Sequence, residues 1–511
     1  MPRPRSYRFS LYALVNGAFL LFLGIAYGLG NAPDPRLLYL VLLFALCSTI
    51  LIDFDGLNGP YALLGMFMLV YFVSFGVVDV TNLLKDGDLA ELAPTPTRSD
   101  ALSRAEIVIL VGGMMLVLGY RIAAGIVSAV GPIRRAKEWS KIAVVIVGLL
   151  LWVIGTIATY RWNVYVVSDS TNEAYRKGLA SVSTATVTLY IIFQMCQPVG
   201  MLLIAYAYRV FRSPYLFPIV VAVVGVQLFI GFVVDVKGMA MLGMILVIMT
   251  NVLVEGRFPK IWLACFLLFV IFLFPFFQAY RSAIHGGGIA RTAVVENFLK
   301  VLETTIAAKD KINSGRDRAQ TFWERSSVKG SVEIVVTKTG NGVDFEHGYT
   351  LSPILLTFVP KILAPDKVRI PTGQLFNKKF HIFDDDDIYV SPSHLGELYW
   401  NFGWRGAVFG MAIIGAICGF VGAYFNLMEY RTVTRVLVMV ITIKQLIVGF
   451  EGSIAELYVV WLRSLVGIGI LHLIFARTPV VARFFRGRAE GSRATHGDES
   501  RGTRLFPNLL T

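Results

Sequence analysis

Residues 215–254, YLFPIVVAVVGVQLFIGFVVDVKGMAMLGMILVIMTNVLV, decide the fold. Two apolar runs, 215–235 and 238–254, flank the only charges of the stretch, Asp235 and Lys237, and Gly238 closes the turn between them. Each run is close to the roughly 20 apolar residues that a helix needs to cross about 30 Å of hydrocarbon. Lipid offers no partner to an unpaired backbone N–H or C=O, so such runs are read as helices, here a membrane-crossing hairpin.

The pattern recurs along all 511 residues, of which 56% are hydrophobic and 16% charged, with a mean hydropathy of +0.65. Further spans are expected at 9–30, 36–52, 61–80, 105–121, 142–159, 186–208, 261–279, 404–427, 436–450 and 456–475. The fold class is therefore an all-α polytopic membrane protein of about 12 transmembrane helices. Residues 1–279 hold spans one to nine, 280–403 form one large, partly helical loop, and 404–476 hold the last three spans. Residues 477–511 form a basic tail, polar and Gly-rich from Glu490, that reads as disordered. MPRPRSYR begins like a signal peptide, but the apolar run behind it is too long for one and reads as a retained span.

With Arg3, Arg5 and Arg8 inside, the inner connections carry Arg134, Arg135, Lys137 and Lys141, then Arg209 and Arg212, Arg257 and Lys260, and Arg431 and Arg435. This is the positive-inside pattern, with both termini cytoplasmic. The inner connection DFDGLNG, 53–59, has no basic residue and departs from it. Residues 81–104, 160–185 and 280–403 fall outside, and a loop as long as the last is usually functional. Within it, Val295, Phe298, Leu299, Leu302 and Ile306 recur at helical spacing, predicting an amphipathic helix over 291–312. SPILLTFVPKIL, 352–363, is too short and too interrupted by proline to span, and reads as interfacial or re-entrant.

The formal charge of +13 does not indicate nucleic acid, because the basic residues are spread over short connections and the tail without interleaved aromatics. Anionic lipid headgroups of the bilayer are the plainer partner. Cys47, Cys196, Cys265 and Cys418 all fall in apolar runs and show neither a disulfide framework nor metal-ligand spacing. There is no P-loop, H-E-x-x-H, G-x-S-x-G or Cys-x-x-Cys pair, so any catalysis must use scattered residues gathered by the fold.

Residues 348–410 carry the most chemical information. Gly348 and Tyr349 are followed by Pro360 and Lys361, Pro365 and Lys367, and then Gly396, Glu397, Tyr399, Asn401, Phe402 and Gly403 at the entry to a span. In this order the stretch resembles the bacterial oligosaccharide repeat-unit polymerases of the Wzy type, which build O-antigens and exopolysaccharides. Lys361 stands where arginine more usually follows the proline, which keeps the charge but loses the bidentate fork. Val368 replaces a proline often seen after the lysine.

The resemblance implies a glycosyltransferase in the bacterial inner membrane, acting at its outer face on undecaprenyl-diphosphate-linked oligosaccharide. A flippase and a chain-length regulator would be further partners, and no cofactor is implied. The leaving diphosphate needs cations, and the attacking hydroxyl needs a base or an acceptor. Fixed Lys and Arg side chains would make a metal unnecessary.

Lys237, Arg281, Arg325, Lys361 and Lys367 are the candidate diphosphate and sugar ligands, joined by Tyr399 as a ring to stack on sugar. Structural alternatives stand beside them: Lys237 pairing with Asp235 or snorkelling, Arg281 anchoring a helix end, and Arg325 pairing with Glu324. Glu397 and His394 are the catalytic candidates, three positions apart and so on one helical face. Either can instead be structural, Glu397 as a helix-start carboxylate. His347 and His381 are further bases, and Asp384 to Asp387 read as a solvated acidic run. Lys444, Glu451, Glu456 and Arg463 lie in or near spans, where they either pair across the turn or serve the site. An O-antigen ligase shares this chemistry, and a lipid-oligosaccharide flippase or transporter shares the span count.

Overall fold

A computed structural model describes residues 5–28, 36–53, 59–84, 102–130, 139–162, 184–234, 237–269, 328–359, 370–384, 388–428 and 431–477. Among them helices dominate and no β-strand occurs, apart from one isolated bridge between Thr339 and Val343. In chain order the helices are α1 (Arg5–Gly28), α2 (Arg36–Ser48), α3 (Ile50–Asp53), α4 (Ala62–Phe75), α5 (Val77–Leu84), α6 (Arg104–Val130), α7 (Lys141–Arg161) and α8 (Thr184–Phe211). Then come α9 (Leu216–Val234), α10 (Lys237–Glu255), α11 (Lys260–Leu268), α12 (Lys329–Lys338), α13 (Ser352–Leu355), α14 (Thr372–Phe380) and α15 (Ser393–Arg405). The last are α16 (Met411–Tyr424), α17 (Val433–Thr442), which runs on through a π turn at Ile443–Ile447, and α18 (Ile454–His472).

Seven stretches of the described residues are long and apolar enough to cross a membrane: Arg104–Val130, Lys141–Arg161, Leu216–Val233, Gly238–Glu255, Ser393–Tyr424, Val433–Glu451 and Ile454–Phe475. Shorter apolar helices occupy Arg8–Leu23, Leu37–Asp53 and Ala62–Phe75. The two apolar runs expected in 215–254 are thus present as the helices α9 and α10, and residues 235 and 236 between them lie outside the described residues. The stretch expected to enter its span at 404 is helical already from Ser393 and breaks at Gly403, whose φ of 61° and ψ of −141° only glycine adopts readily. The amphipathic helix expected over 291–312 lies outside the described residues. Of 352–363, the described part is one short turn of helix, α13, with Leu355 and Phe358 exposed, and it does not span.

Lipid is as apolar as leucine, so helices associate through close packing of small residues and through interhelical hydrogen bonds. A Cβ on Gly119 of α6 would lie 2.0 Å from the Ala412 carbonyl oxygen, and one on Gly415 of α16 would lie 2.0 Å from that of Leu116. Only glycine lets these two backbones touch. Helices α7 and α8 meet in the same way at Gly155 and Gly200. Nearby, Gln197 Nε2 donates to Gln227 Oε1 at 2.8 Å, Thr159 donates to Gln197, and Gln227 donates to the Met239 carbonyl, tying α7, α8, α9 and α10 together.

The contacts between helix termini fall into two sets. In one, Arg121 pairs with Asp53, Tyr120 donates to the Pro60 carbonyl, Arg209 pairs with Glu255 and Tyr206 donates to the Arg431 carbonyl. In the other, residues 74–79, 103–106, 328–329, 346–350, 389–401 and 450–456 meet one another.

Candidate functional site

The second set of contacts is built around α15. Its first turn closes when the Ser393 hydroxyl accepts from the Gly396 N–H at 3.2 Å, a cap-like bond made with Ser393 at φ 62°. Among residues 393–403 only Phe402 is exposed. Beyond the break at Gly403 the chain doubles back, so that a Cβ on Gly406 would lie 2.0 Å from the Leu398 carbonyl oxygen.

The C-terminal carbonyls of this buried helix are satisfied by the segment around residue 347. Glu346 N–H donates to the Trp400 carbonyl and His347 N–H to that of Asn401. The Asn401 side chain accepts from Gly348 N–H at 2.9 Å and donates to Thr350 Oγ1 and to the Glu397 carbonyl, each at 2.7 Å. Gly348 and Tyr349 are therefore joined to the GELYWNFG run through Asn401, across a separation of 53 residues.

Glu397 is fully buried, and its Oε2 accepts from the Ile454 N–H at 2.7 Å. Ile454 opens α18, so the carboxylate caps a neighbouring helix rather than its own. The Thr350 and Ser453 hydroxyls and the Glu456 carboxylate complete its electrostatic surroundings. His394, on the same face, is also fully buried, with its ring 5.2 Å from that of Phe450 and 5.7 Å from that of Tyr458. Both ring nitrogens of His394 and the Tyr458 hydroxyl are buried without a hydrogen-bond partner, and the Ser453 hydroxyl lies beside the Glu397 carboxylate. Folded proteins pair some nine in ten buried polar groups, so a cluster of such atoms marks a place where water or a ligand group belongs.

Helix α12 anchors the segment before this site. Lys329 Nζ lies 2.5 Å from Asp79 Oδ2 and 2.9 Å from Glu106 Oε1, 4.3 Å from the centre of the Tyr39 ring, with all three charged side chains at most 9% exposed. Val328 N–H donates to the Ser74 carbonyl beside it. Residues 389–391 dock on the first turn of α18 and on the turn before it: Tyr389 donates to Glu456 Oε2 at 3.0 Å, and Ser391 donates to the Glu451 carbonyl.

Of the residues expected from sequence, the structure brings His394 and Glu397 together and adds Asn401, Thr350, Ser453 and Tyr458. Lys237 is the first residue of α10. Arg281, Arg325, Lys361 and Lys367 lie outside the described residues. Tyr399 is 2% exposed against Trp404, and Trp400 is packed against Phe376 and Phe380. Tyr349, 51% exposed, and Phe402, 44% exposed, are the aromatics of the motif that present an open ring. His347 and His381 both adopt φ 49°. Asp384 sits on a bend, and the rest of its acidic run is outside the described residues.

Glu451 accepts from the Ser74 hydroxyl, and no ion pair joins Lys444 or Arg463 to Glu451 or Glu456 among the described residues. No group of three or more His, Cys, Asp or Glu side chains able to hold a metal ion occurs there either. The Lys329, Asp79 and Glu106 cluster was not read from the sequence. Its local signal is SRAE, 103–106, a capping box in which Ser103 N–H donates to Glu106 Oε2 and Glu106 N–H to Ser103 Oγ.

Compared with family models, with curated proteins and with solved structures, the chain matches none.

Proposed function

We propose that this chain is a polymerase that joins polyprenyl-diphosphate-linked oligosaccharide repeat units into O-antigen or exopolysaccharide at the outer face of the bacterial inner membrane. The observation that carries the reading is the bond from Gly348 N–H to Asn401, whose side chain also reaches Thr350 and the Glu397 carbonyl, beside unpartnered buried polar atoms. Two described parts of the stretch, 348–349 and 396–403, are joined through Asn401 beside groups able to handle a proton, which supports the reading.

In the proposed reaction a hydroxyl oxygen of the incoming unit attacks the anomeric carbon of the growing chain. The bond from that carbon to the diphosphate oxygen breaks, and the electron pair leaves with the polyprenyl diphosphate. The hydroxyl proton passes to the Glu397 carboxylate, with His394 beside it as the alternative acceptor. Lys237, Arg281, Arg325, Lys361 and Lys367 supply positive charge to the leaving diphosphate, so that no metal is needed for that task. Tyr349 offers its open ring to a sugar face.

The topology belongs to the same proposal: about 12 spans, both termini cytoplasmic, and residues 280–403 outside. It is supported by the two sets of terminal contacts, because Arg121, Lys141, Arg209, Arg212, Arg431 and Arg435 fall in the set opposite the site.

Deleting the gene and inspecting the surface or secreted glycan tests the function. Single repeat units are the expected result. Unattached polymer on the lipid carrier would point to a ligase, and units trapped on the cytoplasmic side to a flippase. Either would overturn the proposal.

A further inference from the structure

At the opposite set of termini, a cavity of about 490 Å³ opens between the starts of α7 and α17 and the ends of α8 and α10. Lys141, Arg209, Arg212 and Arg431 line it, against one carboxylate, Glu255, which pairs with Arg209. The side chains of Lys141, Arg212 and Arg431 make no ion pair among the described residues, and all three residues are exposed. Lys141 lies over the Phe211 ring at 5.7 Å, which orients its charge without neutralising it.

Three buried donors at this place have no partner. Trp139, 6% exposed, lines the cavity with its indole Nε1 unpaired. Arg209 Nε and Thr432 Oγ1, the latter beside Arg431 and 4% exposed as a residue, are also unpaired. Like-charged side chains are held together around donors that face no acceptor, and the N-termini of α7 and α17 add their partial positive charge. Arg212 is held at φ 50°, a conformation that costs a non-glycine residue energy.

We propose that this cavity binds a phosphate group, carried by an anionic phospholipid headgroup at the membrane surface or presented by free phosphate. A tetrahedral anion accepts from several N–H donors at once, which is what the Trp139 indole and Arg209 Nε lack, and it balances the charges of Arg212 and Arg431. Basic pockets between helices on the cytoplasmic side are suited to such headgroups. This inference does not depend on the glycan chemistry of the opposite end.

The full-length protein, purified in a non-ionic detergent, is titrated with phosphatidylglycerol, with phosphatidylcholine and with inorganic phosphate. Lipid retention is read by native mass spectrometry and stabilisation by thermal melting. The wild type is expected to retain phosphatidylglycerol in preference to phosphatidylcholine. The exposed-residue variant Lys141→Ala/Arg212→Ala/Arg431→Ala should bind it on the order of a hundredfold more weakly, with an unchanged melting midpoint when no ligand is present. Trp139→Phe should weaken binding a few-fold. Stabilisation of the wild type by inorganic phosphate, lost in the triple variant, would assign the site to the free anion. Equal retention by wild type and triple variant, or no response to any of the three probes, would overturn the proposal.

Discussion

Lys329→Met should lower the stability of the folded protein by about 3–5 kcal/mol, the usual cost of removing one partner from a buried ion pair. The Lys329 ammonium stands between two carboxylates, of which Glu106 is 1% exposed and Asp79 9%. Without it, two negative charges face each other in a site lined by Tyr39, away from water. The effect should spread, because Lys329 ties α12 to α5 through Asp79 and to α6 through Glu106. Polymer should be lost together with stability.

The control is Lys329→Met combined with Asp79→Asn and Glu106→Gln. It removes all three charges, and glutamine at position 106 can still complete the capping box with Ser103. Most of the lost melting temperature should return, since a buried ion cluster is often replaceable by neutral groups of similar shape. A single variant that melts like the wild type would show that the cluster does not hold α12 in place.

The second large effect concerns activity. Glu397→Gln should reduce polymer formation by on the order of 10²–10⁴-fold, the range typical of a lost general base, while the melting midpoint holds. Glutamine retains a carbonyl oxygen to accept from Ile454 N–H, so the cap on α18 survives and only the charge is removed. Glu397→Ala, by contrast, deletes the cap and should also cost about 1 kcal/mol of stability. His394→Phe keeps a ring against Phe450 and Tyr458 and removes both nitrogens, so it separates packing from chemistry in the same way. Normal polymer from Glu397→Gln would reduce that carboxylate to a helix cap.

The seven stretches long enough to span were legible because lipid imposes a length and a helical backbone on such runs, and the helices of 215–254 needed no tertiary information. The shared face of His394 and Glu397 was legible for the same reason, since three-residue spacing is a property of a single helix. That this face turns toward Ile454 and Tyr458 was not, because the contact joins segments 57 residues apart and no local period encodes it. Lys329 is farther still from its partners, 250 residues from Asp79 and 223 from Glu106. Tyr399 shows the converse limit. An aromatic beside a motif glutamate reads as a sugar platform, yet the fold uses both Tyr399 and Trp400 as packing and leaves Tyr349 open. The basic cavity at the other end combines cations from three segments, each of which reads alone only as a positive-inside connection.

Reconstitution of the purified protein with a single polyprenyl-diphosphate-linked repeat unit tests the central claim most directly. The expected result is a ladder of lipid-linked products that grow by whole units, with one free polyprenyl diphosphate released per bond formed and no nucleotide sugar consumed. Units left unchanged, or carried across the bilayer without release of polyprenyl diphosphate, would contradict it.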